Sequence, residues 1–275
     1  MTGFSTMVER QVNAQINGAD FVKTESYVGN YSMSNAIMNF NGTANPTYGS
    51  LHPVYWGMNP DEGLSKVQYE KGYQMLQWLS NSLGTTKFKQ WLSYYISTNA
   101  NTSVNSFQMQ RSLNTWMQTA YSSAQTINAN MGAFAINKWQ YGIGSDPSGT
   151  LNFMTNNIQQ STNLAKSYIS LAGNGSPTNY QQYNYYYSNL KVVFNNVLQA
   201  TGINNGVTVA VLTKIDNDLK ITNSKDPEVL QRWLATAICT GYTGNNVMTV
   251  AQNFVSSQGR MTFLFPIYTA LMLSG

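Results

Sequence analysis

The sequence predicts an all-α protein built in two helical parts. Three observations carry that prediction. Apolar residues recur at helical spacing along most of the chain, the breaks between these runs are short, and strand-like alternation is weak. Short turns between apolar stripes describe antiparallel helices that pack on one another.

In chain order, residues 72–83 place Met75, Leu76, Leu79 and Leu83 on one helical face. Gly84 is expected to stop that helix, and Thr85 or Thr86 to cap the next. There Phe88, Trp91, Leu92, Tyr95 and Ile96 form a second stripe, and Phe107, Leu113, Trp116 and Met117 form a third. The Gly-, Ser- and Pro-rich stretch 142–149 reads as a linker, dividing the chain into domains 1–145 and 150–275. Helical runs follow at about 151–171, 180–200, 207–220, 227–240, 246–257 and 261–273. Asp226-Pro227-Glu228 is a helix start, with an Asp cap, Pro in the first turn and Glu near the positive end of the dipole. The segment 208–215 has some strand character, but its helical neighbours favour a helix. The run Tyr183-Asn184-Tyr185-Tyr186-Tyr187 suggests either a stacking platform or a helix with aromatic packing, and the second reading is adopted.

The 275 residues are 42% hydrophobic, enough for a sizeable core, yet only 9% are charged, against about 25% in an average soluble protein. A surface this poor in charge either is covered by other subunits or reflects compositional drift. The net charge of +4 is scattered, and no stripe of Lys and Arg interleaves with aromatics, so no nucleic-acid footprint exists. No apolar stretch of about 18 residues is present, so no membrane span is expected. Cys239 stands alone and excludes an internal disulfide. With no secretory signal visible in the first residues, an intracellular location is favoured.

The chemical inventory is short. His52 is the single histidine, so neither HExxH nor any two-histidine zinc site can be assembled, and no metal ligands are assigned. In Leu51-His52-Pro53 that histidine reads as a turn residue rather than a triad member. Gly142, Gly144 and Gly149 lack the Lys-Ser/Thr pair of a phosphate loop. Asp61 and Glu62 are adjacent and point apart, a weak basis for paired acid–base work.

Residues 60–72, running from Pro60 through Tyr69-Glu70-Lys71-Gly72, resemble the gluzincin zinc aminopeptidases, in particular their leukotriene epoxide hydrolase branch with its P-Y-E-K-G motif. Gly3-Phe4 through Glu9-Arg10 is similar to the segment directly after that family's third zinc ligand. Ser50-Leu51-His52-Pro53 resembles its S-H-P turn, Arg232-Trp233-Leu234 its R-W-L helix, and Gln258-Gly259-Arg260-Met261 its Q-G-R-M motif. The resemblance is collinear over most of the chain. It implies that 1–145 form the helical lobe of a thermolysin-like catalytic domain and that 150–275 form a superhelical array of paired helices.

The resemblance also assigns roles. Tyr69 matches the catalytic tyrosine that stabilises an oxyanion, Asp61 an aspartate that positions water, and Arg260 the arginine that holds a substrate carboxylate. Each also has a purely structural reading: Tyr69 as a helix-leading aromatic whose hydroxyl finds a partner, Asp61 as a turn or cap residue, and Arg260 as a residue that closes a helix end or pairs with a carboxylate. Leu64 and Thr262 depart from a tyrosine and a lysine of that branch. Thr2 stands where the third zinc ligand belongs, and HExxH is missing. Zinc would require a partner chain that supplies the ligands, because without the metal there is neither activated water nor a Lewis acid. The expected function is therefore a non-catalytic remnant serving as a scaffold or binding subunit. The alternative is one half of a split zinc aminopeptidase completed by a separate chain. Other protein subunits are expected to cover the face near Gly3–Gln11 and Tyr69.

Overall fold

A computed structural model describes residues 2–43, 45–121 and 136–274. Among these residues there is no strand. The chain separates into two compact units, Met1–Val22 with Gly29–Phe153, and Lys23–Val28 with Met154–Gly275.

The first unit contains α1 (Thr2–Asn17), most of α2 (Ala19–Asn41), α3 (Val67–Leu83), α4 (Thr85–Thr98), α5 (Ser106–Ala120) and α6 (Ile136–Tyr141). Helix α3 is its centre, with α1, α4 and α6 packed against it and α5 against α4. The approach of α1 to α3 is set by glycine: a Cβ on Gly3 would stand 2.6 Å from the backbone of Gly72. Two glycines here accept a loss of about 1 kcal/mol each in helix propensity for backbone-to-backbone packing. Leu76, Leu79, Phe88, Trp91, Leu113, Met117 and Trp139 fill the core beneath.

Several expected details differ. Helix α3 starts at Val67, five residues before the apolar run read from sequence, because Val67 is buried with Met33 and Ile37 of α2. Gly84, at φ 79°, both ends α3 and stands as the N-cap of α4, so Thr85 and Thr86 lie inside the helix. Phe107 is exposed and Met109 is buried in its place. Six residues separate Phe107 from Leu113, which at about 100° per residue puts them on different faces. Ile96 is exposed as well. Residues 142–149 make bends and turns, in which the Asp146 carboxylate accepts from the backbone N–H of Ser148 and of Leu151.

The second unit contains α7 (Asn156–Ser170), α8 (Ser188–Thr201), α9 (Val209–Leu219), α10 (Pro227–Thr240), α11 (Val247–Ser257) and α12 (Met261–Ser274). Helices α8, α10 and α12 pack in succession, while α7 lies on α8 and α9, and α11 on α10 and α12. This is a layered array of helix pairs in which each element touches near neighbours, as in solenoid folds. Phe194, Trp233, Leu234 and Ile267 sit in its continuous core. Asp226 caps α10 by accepting from the Glu228 N–H at 2.9 Å, with Pro227 leading the helix. Residues 208–215 are helical apart from their cap, Thr208. The tyrosine-rich run is not α-helical: Tyr180–Tyr185 form a 3₁₀ turn, with Tyr183 and Tyr186 buried and Tyr185 exposed. Tyr183 meets Phe194 edge-on at 5.2 Å, which is core packing and not an open stacking platform.

Candidate functional site

Asn59-Pro60 begins a 3₁₀ turn, Pro60–Gly63, whose first N–H is taken by the Asn59 side chain at 3.1 Å. The cap is therefore Asn59, while Asp61 is a turn residue whose carbonyl accepts from the Leu64 N–H. Gln68 then binds this turn to the start of α3. Its Nε2 donates to the Gly63 carbonyl at 2.6 Å, and its Oε1 accepts from the Ser65 N–H at 3.1 Å. The Ser65 hydroxyl accepts from the Val67 N–H. Asp61 and Tyr69 thus lie on one braced loop-to-helix segment. Asp61 is exposed, Tyr69 is half-exposed as the third residue of α3, and neither side chain has a hydrogen-bond partner among the described residues. Lys66 Nζ lies 6.0 Å from the Tyr69 ring centre. Leu64, between them, is also exposed.

The start of α1 reaches the same place. The Thr2 hydroxyl donates to the backbone carbonyl of Gln68 at 3.0 Å, one residue before Tyr69. One turn further along α3 the surroundings become buried and ionic. The Glu70 carboxylate accepts from Arg10 Nη2 at 2.7 and 3.0 Å, and the guanidinium lies 4.0 Å over the Tyr73 ring. Gly29 of α2 makes room, since a Cβ there would sit 2.3 Å from the carboxylate. Burial pushes Glu70 up from its ordinary value, and Arg10 pulls against it. The Lys71 ammonium, fully buried, donates to the carbonyls of Gly49 at 3.1 Å and of Gly142. Burial lowers its pKa to about 8. His52 lies in a bend, with its N–H given to the Gln140 carbonyl and its ring edge-on to Tyr141.

Arg260 belongs to the second unit. It opens α12 rather than closing a helix, because its carbonyl accepts from the N–H groups of Phe263 and Leu264. Its exposed guanidinium lies 5.4 Å from the Phe263 ring and makes no ion pair among the described residues. Thr262 is exposed beside it.

The sequence profile of the peptidase family M1 domain matches residues 2–139, half of the chain. The chain belongs to peptidase family M1. A second profile, the leukotriene A4 hydrolase C-terminal domain, matches residues 186–274 of this M1 chain. Leucine aminopeptidase 2 of Ajellomyces capsulatus is 24% identical over 270 residues, covering 98% of this chain and 41% of that protein. The corresponding protein of Neosartorya fischeri is 22% identical, with 98% and 42% covered. The fold matches a solved structure of yeast LTA4 hydrolase in complex with Bestatin, with TM-score 0.81 and 20% identity over 99% of this chain and 45% of that one. The M1 chain thus spans about two fifths of the length of the curated relatives it matches. Its two parts are the helical lobe of the M1 catalytic domain and the helical array typical of the leukotriene hydrolase C-terminus.

The residues present do not fit the family's zinc ion. Among the described residues no three His, Cys, Asp or Glu side chains gather where they could hold a metal. The hydroxyl of Thr2, the residue that the resemblance sets opposite the third ligand, is committed to the Gln68 carbonyl. No helix among the described residues is long and apolar enough to cross a membrane. The residues that sequence reasoning passed over are Gln68, Arg10 and Lys71 in their actual roles. The Ser65-x-x-Gln68 spacing, a capping-box signature, was a usable signal for the first. The other two depend on contacts with residues 60 and 71 positions away, which leave no local pattern.

Proposed function

We propose that this chain is a non-catalytic member of the M1 family, acting as a scaffold or binding subunit within a larger protein assembly. The observation that carries this reading is the Thr2–Gln68 hydrogen bond. A hydroxyl replaces a metal-binding carboxylate and is turned into the fold, in surroundings that gather no other ligands. Leu64 and Thr262 likewise remove polar groups from the face that the resemblance assigns to substrate. In this reading, 1–145 and 150–275 are retained as folded surfaces, and Tyr69, Asp61 and Arg260 are vestiges of the family's site.

The partner surface is drawn from α1 and from the loop before α3. The inner face of α1, with Gly3, Met7 and Arg10, is buried, whereas Val8, Val12 and Ile16 form an exposed apolar row at four-residue spacing. Trp56, Leu64 and Tyr69 are exposed as well. A neighbouring protein subunit covering these residues removes apolar surface from water that few charges defend. Sedimentation of the purified chain tests this: association or a stable complex supports it, and a monomer at high micromolar concentration overturns it.

A second reading keeps the chemistry in two chains, with zinc and its ligands supplied by another polypeptide. It draws on the Asp61 carboxylate and the Tyr69 hydroxyl, which the fold leaves without partners on one braced segment. Aminopeptidase assays and elemental analysis separate the readings. The scaffold predicts background turnover and no stoichiometric zinc in every copurified form. A zinc-bearing complex whose turnover disappears in Tyr69→Phe establishes the split enzyme instead.

A further inference from the structure

Within the first unit a cavity of about 300 Å³ opens between the starts of α1 and α5, the middle of α3, and the ends of α4 and α6. Its floor is apolar, with Phe4, Leu76 and Met109. Among the described residues, no Asp, Glu, Lys or Arg lines it. Its polar groups are instead amides, hydroxyls and one imidazole. Gln140 decides its chemistry. This residue is 4% exposed, its Oε1 accepts from Gln110 Nε2 at 3.0 Å, and its backbone carbonyl accepts from the His52 N–H. Among the described residues its Nε2 donates to nothing. Gln140 lines the cavity, where a ligand oxygen can accept from that donor. Ser106, half-buried, and the exposed His52 and Asn105 line the same space.

The geometry points to a binding site for a small uncharged molecule with an apolar body and a carbonyl or amide oxygen, which accepts from Gln140 Nε2. Charge is excluded on physical grounds. A carboxylate or ammonium entering this lining loses hydration and finds no counter-charge. A neutral amide gains an acceptor contact to Gln140 and can give its own N–H to the imidazole or hydroxyl at the rim, while its carbon chain covers Phe4 and Met109. The volume lies at the small end of the range for ligand pockets, which suits a short chain and not a large metabolite. The site needs neither zinc nor a partner chain, although Thr2 and Gln68, whose hydrogen bond carries the function proposed above, line it as well.

The test uses three probes of one shape, hexanamide, hexanoate and hexylamine, titrated into the purified chain by calorimetry. Hexanamide is expected to bind saturably, and the two ions at least tenfold more weakly. Gln140→Leu should weaken the amide by up to about tenfold, the effect of one lost hydrogen bond. Ser106→Trp, at a half-buried rim position, should fill the opening and abolish binding while the circular dichroism of the chain is unchanged. Equal binding of all three probes overturns the proposal, as does no saturation by hexanamide. Full affinity in Ser106→Trp also overturns it, since the amide then binds elsewhere.

Discussion

The two units bury charge in different ways. The first holds Arg10, Glu70 and Lys71 inside, each less than a tenth exposed. Among the described residues the second holds one fully buried carboxylate, Asp216, with no cation paired to it. Asp216 is solvated by neutral dipoles instead: the Thr222 N–H and hydroxyl at 2.9 and 2.7 Å, the Tyr242 hydroxyl at 3.0 Å and Asn245 Nδ2 at 2.6 Å. Trp233 Nε1 donates to Thr222 Oγ1 behind them at 2.8 Å. Burial and the neighbouring carboxylate together push Tyr242 up to about 12, so it stays a donor throughout the physiological range. The Asp216 cluster closes within 29 residues and links consecutive elements, as a local array requires. The ion pair closes across 60 residues and exists only if α1 lies on α3. The buried charges of the first unit are thus met by partners from distant segments, and that of the second by groups close along the chain.

That contrast is open to attack. The largest effect is expected from Arg10→Met, which strands the Glu70 carboxylate in the interior and should cost about 3–5 kcal/mol. Urea unfolding, with hydrogen exchange of the α1 and α3 amides, reads it. Replacing both partners, Arg10→Met with Glu70→Leu, should recover most of that loss, because two charges no longer need burial. A double variant as unstable as the single one would show that packing, and not charge, holds α1 in place.

Next comes Asp216→Ala. Several buried donors then lack an acceptor, for a loss of about 2–3 kcal/mol. Trp233 is the one tryptophan of the second unit and reports it by fluorescence in a background where the other tryptophans are changed to Phe. If this variant proves more damaging than Arg10→Met, the local cluster outweighs the long-range pair and the ordering drawn above is reversed.

Gly3→Ala should follow, at about 1–3 kcal/mol, since the added methyl meets the Gly72 backbone and α1 must shift. Thermal unfolding of the first unit is the readout. An unchanged midpoint would mean that the α1–α3 approach is looser than the coordinates require.

The smallest effect is a slope. Burial lowers Lys71 from its ordinary 10.5 to about 8. Below pH 8 the amine is charged in both folded and unfolded chains. Between 8 and 10.5 the unfolded chain binds the extra proton, so this group makes stability rise with pH across that window. The difference in unfolding free energy between the native chain and Lys71→Met should therefore change in this window and be flat below it. Taking the difference removes the opposite trend of the buried tyrosines, whose raised values lower stability at alkaline pH.

Much of the fold was legible because it follows from local rules. The apolar periods of α4 and α5, the Asp226-Pro227 start of α10 and the helical character of 208–215 need only 3.6-residue spacing and cap chemistry. The errors came where a second face competed. Val67 extends α3 because α2 covers it, and the Tyr183 region breaks into a 3₁₀ turn so that two rings can enter the core. Of the site, motif resemblance located Asp61, Tyr69 and Arg260 in the chain. Of these, Asp61 is a turn residue behind the Asn59 cap, and Arg260 opens a helix rather than closing one.

By itself the sequence determined the helical class and the family motifs in their order. These depend on residue identity and short-range spacing, which a chain carries whether or not it is folded. Only the tertiary structure decided that Thr2 is spent on Gln68, that Arg10 neutralises Glu70, that Lys71 binds the carbonyls of Gly49 and Gly142, and that Gln140 accepts from Gln110 at the wall of a cavity. Each of these joins residues dozens of positions apart. Their energies come from desolvation, and a side chain is desolvated only once its neighbours from distant segments have closed around it.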